Sequence, residues 1–212
     1  LGQFLATRPD IIGEKIATQL EKLQDKLPPF SSEHAKILIK SSLGKKNYDS
    51  ILNISEPIAA ASIAQVHKAQ INDNGTIHEV AIKILRPNIK KTFNDEIDAL
   101  MLLAYIVESL VKKTERLKLV EVIFLLKEIT NLEMDLRFEA AAANEYYENT
   151  KNDIGFKIPK IFWNFTSEEV LTLDWINGIS IREKEKLEKK GFDTKKISSE
   201  IIQNFLRHAV RD

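Results

Sequence analysis

The chain has 212 residues with 31 basic and 31 acidic side chains, so its formal net charge is zero. That balance excludes the basic excess by which nucleic-acid binders hold phosphate backbones. There is no cysteine, which excludes disulfides and thiolate metal sites, and the longest apolar runs, such as residues 99–107, fall well short of the roughly 20 residues a membrane-spanning helix needs.

No signal-peptide pattern is visible. The chain opens on Leu1-Gly2-Gln3 without a methionine and ends on Arg211-Asp212 inside a helical pattern, so it is expected to be a fragment cut at both ends. Residues 1–53 read as helical. Pro9 suits a first helical turn, and Ile12, Ile16, Leu20, Leu23 and Leu27 recur at helical spacing. Pro28-Pro29 ends that helix; Ser31-Ser32 caps the next, which is expected to stop near Gly44. Pro57 then breaks the helical run. Residues 62–71 and 78–85 read as strands around Asn72-Asp73-Asn74-Gly75, a hairpin signal. Residues 88–151 return to helix in two long segments with a break near residues 112–118. Residues 158–164 and 169–175 read as a second strand pair turning at Thr166-Ser167, ended by Asn177-Gly178. The remainder, residues 180–212, is helical apart from Gly191-Phe192-Asp193. Helices, a hairpin, two long helices, a second hairpin and further helices make the fold class α+β.

Lys83 stands out in Val80-Ala81-Ile82-Lys83-Ile84-Leu85, a strand of otherwise apolar residues. It either points to solvent or faces inward with a partner, because a lone buried ammonium is costly. For a lone strand lysine the solvent-facing reading is the usual one; it is weakened here because Ala81 and Leu85 share its face by the two-residue period and are apolar. In the helix expected over residues 119–151, Val122, Leu125, Ile129, Leu132, Leu136, Ala140, Ala143 and Tyr147 form an apolar stripe. Glu139 falls beside that stripe and is the candidate partner for Lys83; the other reading puts it at the stripe's edge, in water. In the same helix Asp135 would face the same way as Glu139, while Glu133 would lie roughly 160° around from Asp135. The histidines His34, His67, His78 and His208 show no metal-ligand spacing, and neither a Walker sequence nor G-x-G-x-x-G occurs. The segment His208 to Asp212 does not have the spacing of a kinase H-R-D.

The Val80-Ala81-Ile82-Lys83 strand, a hairpin before it and a helical glutamate after it together resemble a protein-kinase N-lobe. Where a kinase has a glycine-rich loop, this chain has Ala59-Ala60-Ala61-Ser62, and an extra helix separates Lys83 from Glu139. These features resemble the UbiB family of atypical protein-kinase-like ATPases, linked to ubiquinone biosynthesis. Leu1-Gly2-Gln3 looks like the end of that family's K-x-G-Q motif, whose lysine would precede Leu1. Glu133-Met134-Asp135 looks like its E-x-D motif, and residues 171–178 resemble the strand and hinge that hold adenine.

The resemblance implies a kinase-like N-lobe at residues 54–176, a helical extension at 1–53, and a hinge with the start of a truncated C-lobe at 177–212. It implies ATP or ADP with Mg2+ as ligands, the metal-binding residues being expected beyond Asp212. Lys83 would orient the α- and β-phosphates and Glu139 would hold Lys83. The backbone of Ala59, Ala60, Ala61 and Ser62 would cover the phosphates, Val66 and Ala81 would line the adenine pocket, and backbone groups of Asp174 and Ile176 would meet the base. Gly2, Gln3, Glu133 and Asp135 would form a regulatory motif. The full-length protein is expected to be an atypical kinase or ATPase, and the fragment alone inactive. Quinone-pathway lipid intermediates, biosynthetic proteins and a membrane surface are the expected partners. The expected place is the cytoplasmic side of the bacterial inner membrane or its organellar equivalent. The alternative is a pseudokinase-like module that binds lipids or proteins without phosphoryl transfer.

Overall fold

The computed structural model describes residues 13, 28–110 and 116–211. The expectations for Pro9, for the stripe from Ile12 to Leu27 and for Gly2 and Gln3 lie outside those residues.

Helix α1 (Ser32–Asp49) starts where Ser31, in extended conformation, accepts the His34 N–H on its hydroxyl. Gly44 interrupts it with φ 76° and ψ 162°, a region essentially confined to glycine, but the helix resumes and runs on to Asp49. The expected stop is therefore a kink. Strand β1 (Ile51–Ala60) follows at once, where continued helix and then a break at Pro57 were expected. Pro57 is tolerated because β1 is an edge strand whose pairing with β2 (Ala64–Asp73) shifts register three times. The irregularity at Ser55 is held by Nδ1 of buried His67 on the Ser55 carbonyl (2.8 Å) and by the Lys68 N–H on the Ser55 hydroxyl (3.0 Å).

Strand β3 (Thr76–Leu85) pairs with β2 over ten residue pairs across the turn at Asn74 and Gly75, both at positive φ. The order of the antiparallel sheet is β1-β2-β3-β4, with β4 at Val170–Asp174. The strand expected over residues 158–164 shrinks to a single bridge, Ile161 to Leu173, followed by a 3₁₀ turn at Trp163–Phe165. That turn lets both Phe162 and Phe165 enter the core.

Helix α2 spans Ile89–Leu110 and α3 spans Leu119–Glu133. The single helix expected over residues 119–151 is instead two, because Met134 is buried, Asp135 turns extended (φ −118°, ψ 98°), and α4 (Leu136–Thr150) starts afresh. The Leu136 N–H leaves the helical pattern for the Glu168 carbonyl (2.9 Å). The expected stripe is accordingly real only in α4: Leu136 and Ala140 are buried, whereas Val122, Leu125, Ile129 and Leu132 are about half-exposed. Among the described residues no helix is long and apolar enough to cross a membrane.

The sheet has a core on each face. Ala69, Ile71, Val80, Ile82, Ile84 and Val170 pack with Ala35 and Ile39 of α1 and with the two phenylalanines. On the opposite face Ala64, Leu85 and Leu171 pack with Met134, Leu136 and Ala140. Strand alternation places Lys83 on this second face, under α4.

Helices α5 (Lys184–Lys189) and α6 (Thr194–Arg211) follow, divided at Gly191 (φ 81°). The C-terminal end of α4 meets α6 through His208, which is 6% exposed. Its Nδ1 bonds the Tyr146 hydroxyl, its Nε2 lies 3.0 Å from Asp153, and the Phe156 ring packs against it tilted by 60°, with the ring centroids 4.5 Å apart. Arg211 donates to both Asp153 oxygens at 3.0 Å. Arg211 first and His208 second hold the Asp153 carboxyl down, from the ordinary 3.8 to about 2. A carboxyl held low in the folded state stabilises above its unfolded value and loses that contribution as pH falls through its folded value. The difference in unfolding free energy between wild type and Asp153→Asn should therefore be fully present well above pH 3.8, shrink as pH falls through that value, and be lost only below about 2. Urea titrations across that range check it; a difference that persists at the acid end would contradict the assignment.

Candidate nucleotide site

The site starts from one row of the sheet. Ala59 pairs with Val66, Val66 with Lys83, and Lys83 with Leu171. Neighbouring strands are about 4.8 Å apart, so Ala59 lies about 10 Å from Lys83, two strands along the same row. Above this row α4 presents Glu139 from its first turn. Lys83 Nζ donates to both carboxylate oxygens of Glu139, at 2.9 and 2.6 Å. The structure thus selects the partnered reading of Lys83 over the solvent-facing one.

The pair is not sealed. The Lys83 side chain is 27% exposed and that of Glu139 49%. Ion pairs this open contribute only about 0–1 kcal/mol to stability. The geometry is set by the buried cluster around Leu136 and Ala140 instead, which fixes the first turn of α4 over β3. An ammonium oriented by a carboxylate, with one side open, can still meet a second anion.

Ala59 and Ala60 close β1, and Ala61, Ser62 and Ile63 form the tip before β2. The Ala61 N–H donates to the Ala64 carbonyl at 2.8 Å. None of residues 59–63 has positive φ. That is why alanine serves here: the chain turns without the left-handed conformations for which glycine is needed. Val66 is half-buried and Ala81 8% exposed, both on the Lys83 face.

The segment expected to be the hinge follows the end of β4. The Asp174 N–H is taken by the Lys160 carbonyl (2.9 Å) and the Trp175 N–H by the Glu79 carbonyl (3.0 Å). The Asp174 N–H is thus already committed to Lys160. Ile176 lies beyond the last strand pair, 44% exposed. Lys68, on the Lys83 face, pairs with Glu79 at 2.9 Å and lies 5.1 Å from the centroid of the Trp175 ring, tying β2 to the hinge.

Glu133 and Asp135 do not converge. Glu133 is the exposed last residue of α3, whereas Asp135 is the N-cap of α4 and accepts the Arg137 N–H at 3.0 Å. The Arg137 guanidinium grips both Asp135 oxygens, at 2.6 Å in its closest contact, and holds that carboxyl below its ordinary range. The like-charge approach of Asp135 to Glu139 expected for a continuous helix is removed by the break. Around Asp135, Arg137 lies 4.0 Å from Glu168, which also pairs with Lys90. Arg137 and Glu168 went unnoticed in the sequence, although an Asp interrupting an apolar periodic run is a cap signal. Among the described residues no three His, Asp or Glu side chains gather as metal ligands.

Residues 22–212 match the ABC1 atypical kinase-like domain family. Over all 212 residues the chain is 35% identical to a protein of Marinobacter nauticus named probable protein kinase UbiB. It is 33% identical to proteins of the same name from Xylella fastidiosa and Azotobacter vinelandii. It spans 38%, 38% and 39% of the lengths of these three relatives. The four-stranded antiparallel sheet, the helix that brings a carboxylate to the β3 lysine, and the strand leading to α5 and α6 are those of a kinase-like N-lobe joined to part of a helical lobe. The chain belongs to the ABC1 atypical kinase-like family, in which its relatives are UbiB proteins.

Proposed function

We propose that this chain is the ATP-binding half of a UbiB-type atypical kinase or ATPase that supports ubiquinone or related polyprenyl quinone synthesis. The observation that carries the reading is the two-point contact of Lys83 with Glu139, open on one side. In this reading Lys83 holds the α- and β-phosphates and Glu139 keeps its ammonium in place. The backbone of Ala59, Ala60, Ala61 and Ser62 covers the phosphates, and Val66 and Ala81 pack on the adenine. The Asp174 carbonyl and the backbone of Ile176 meet its edge. Bound Mg2+ would neutralise phosphate charge. The Lys83 ammonium fits the anionic end of such a ligand, whereas ligands for the metal do not gather among the described residues. Glu133 and Asp135, with Gly2 and Gln3, are proposed as the regulatory motif. Quinone-pathway lipids or biosynthetic proteins as partners, and a place on the cytoplasmic side of the inner membrane or its organellar equivalent, rest on family kinship and form part of the same proposal.

Charge-assisted hydrogen bonds are worth about 1.5–3 kcal/mol, so Lys83→Ala in the full-length protein should lower nucleotide affinity or turnover about tenfold to a hundredfold. Calorimetric titration with ADP and a phosphate-release assay read this. Wild-type binding and turnover in the variant would count decisively against the reading.

The alanine-rich loop adds a second expectation. Ala60 pairs with Gln65 in the ladder and restricts the backbone beside the tip. Ala60→Gly frees that backbone and should change the ratio of ATP to ADP affinity. Equal ratios in variant and wild type would remove the loop from the account of nucleotide preference.

A further inference from the structure

The loop at residues 59–63 is gripped from behind by a residue the functional reading does not use. The Arg86 N–H donates to the Ile63 carbonyl at 2.8 Å. Its Nε donates to the Ala61 carbonyl at 3.0 Å, and its Nη2 to the Pro28 carbonyl at 3.1 Å. One side chain thus spans the loop and the segment that leads into α1. A guanidinium suits this task because its donors lie in a rigid plane and reach separate acceptors at once; an ammonium does not offer that fork. The backbone of Arg86 is itself fixed, between buried Leu85 and Pro87.

A second tie runs beside it. Gln65, fully buried, accepts the Phe30 N–H on Oε1 at 3.0 Å and donates from Nε2 to the Phe30 carbonyl at 3.3 Å. Because its oxygen is committed to Phe30, Nε2 faces His67 and donates to His67 Nε2 at 2.9 Å. His67 Nδ1 then donates to the Ser55 carbonyl in β1. The chain at Phe30 is therefore bound to β2 through Gln65 and linked on to β1 through His67. Among the described residues Arg86 has carbonyl acceptors and no carboxylate partner.

We infer that Arg86 is a positioning residue of the alanine-rich loop: it sets the place of that backbone over the sheet and makes the loop and the chain at Pro28–Phe30 move as one unit. The consequence for ligand affinity rests on the nucleotide reading above; the mechanical coupling rests on the hydrogen bonds alone. The test uses full-length protein as wild type, Arg86→Met and Arg86→Lys. Hydrogen exchange at the Phe30 and Ser31 amides and over residues 59–64 is followed without nucleotide, and ATP and ADP affinities are measured by calorimetry. Losing a charged hydrogen bond should speed local opening about tenfold, so Arg86→Met should exchange faster in both stretches together and change the ATP-to-ADP affinity ratio. Arg86→Lys, which keeps charge and stem but not the fork, should fall between.

Unchanged exchange, or faster exchange confined to one stretch, overturns the coupling. Faster exchange in both stretches with an unchanged affinity ratio overturns the positioning role. A wild type that binds no nucleotide sinks the functional reading instead and leaves the exchange result to decide the coupling. Should Arg86→Met fail to fold, Arg86→Lys decides on the same criteria.

Discussion

The contact between Lys83 and Glu139 depends on a constraint set elsewhere, the break between α3 and α4. Burial of Met134 and Leu136 on either side of Asp135 holds the chain out of helix for two residues, Met134 and Asp135. Asp135 then caps the new helix, and the Glu168 carbonyl takes the Leu136 N–H. These bonds fix where α4 begins, and Leu136 and Ala140 fix which way it faces. Glu139, one residue before Ala140, is carried to the edge of the buried stripe, above Lys83. The polar pair is thereby placed by apolar packing and does little to hold the fold itself. That division suits a binding group: a side chain that must exchange one partner for another cannot also be the main support of its own position.

The alanine-rich loop follows the same logic. Its backbone makes no use of positive φ, so glycine would add freedom without relieving strain. The bulged edge strand β1 brings Ala59 into the row of Lys83, and buried Gln65 and His67 anchor that strand from the opposite face. Ala59, Ala60 and Lys83 therefore belong to one sheet whose β2–β3 register is set by ten continuous pairs. The lobe presents a pre-arranged face.

Much of this was legible in the sequence. Asn74-Gly75 marked the β2–β3 hairpin, and a lysine flanked by apolar residues on its own face pointed to a partner. The failures share a cause, in that periodicity misleads where the backbone is irregular. Ile51 and Ile54 are spaced by three, as in a helix, and both pack on the core because a bulge inserts an extra residue into β1 between them. Leu132, Leu136 and Ala140 likewise keep helical spacing straight through a break, so the pattern alone reads two helices as one. The ties made by Gln65, His67 and Arg86 join residues distant in the chain to backbone groups, which leave no trace in side-chain patterns.

The central claim is that Lys83 and Glu139 act as one unit toward a nucleotide. A double-mutant cycle in the full-length protein, with Lys83→Met, Glu139→Gln and both together, measures this through ADP affinity. Residues acting as a unit are non-additive, so the double variant should lose little more than the worse single one, a coupling of about 1 kcal/mol or more. Losses that simply add would contradict the account, and so would single variants that bind as tightly as wild type.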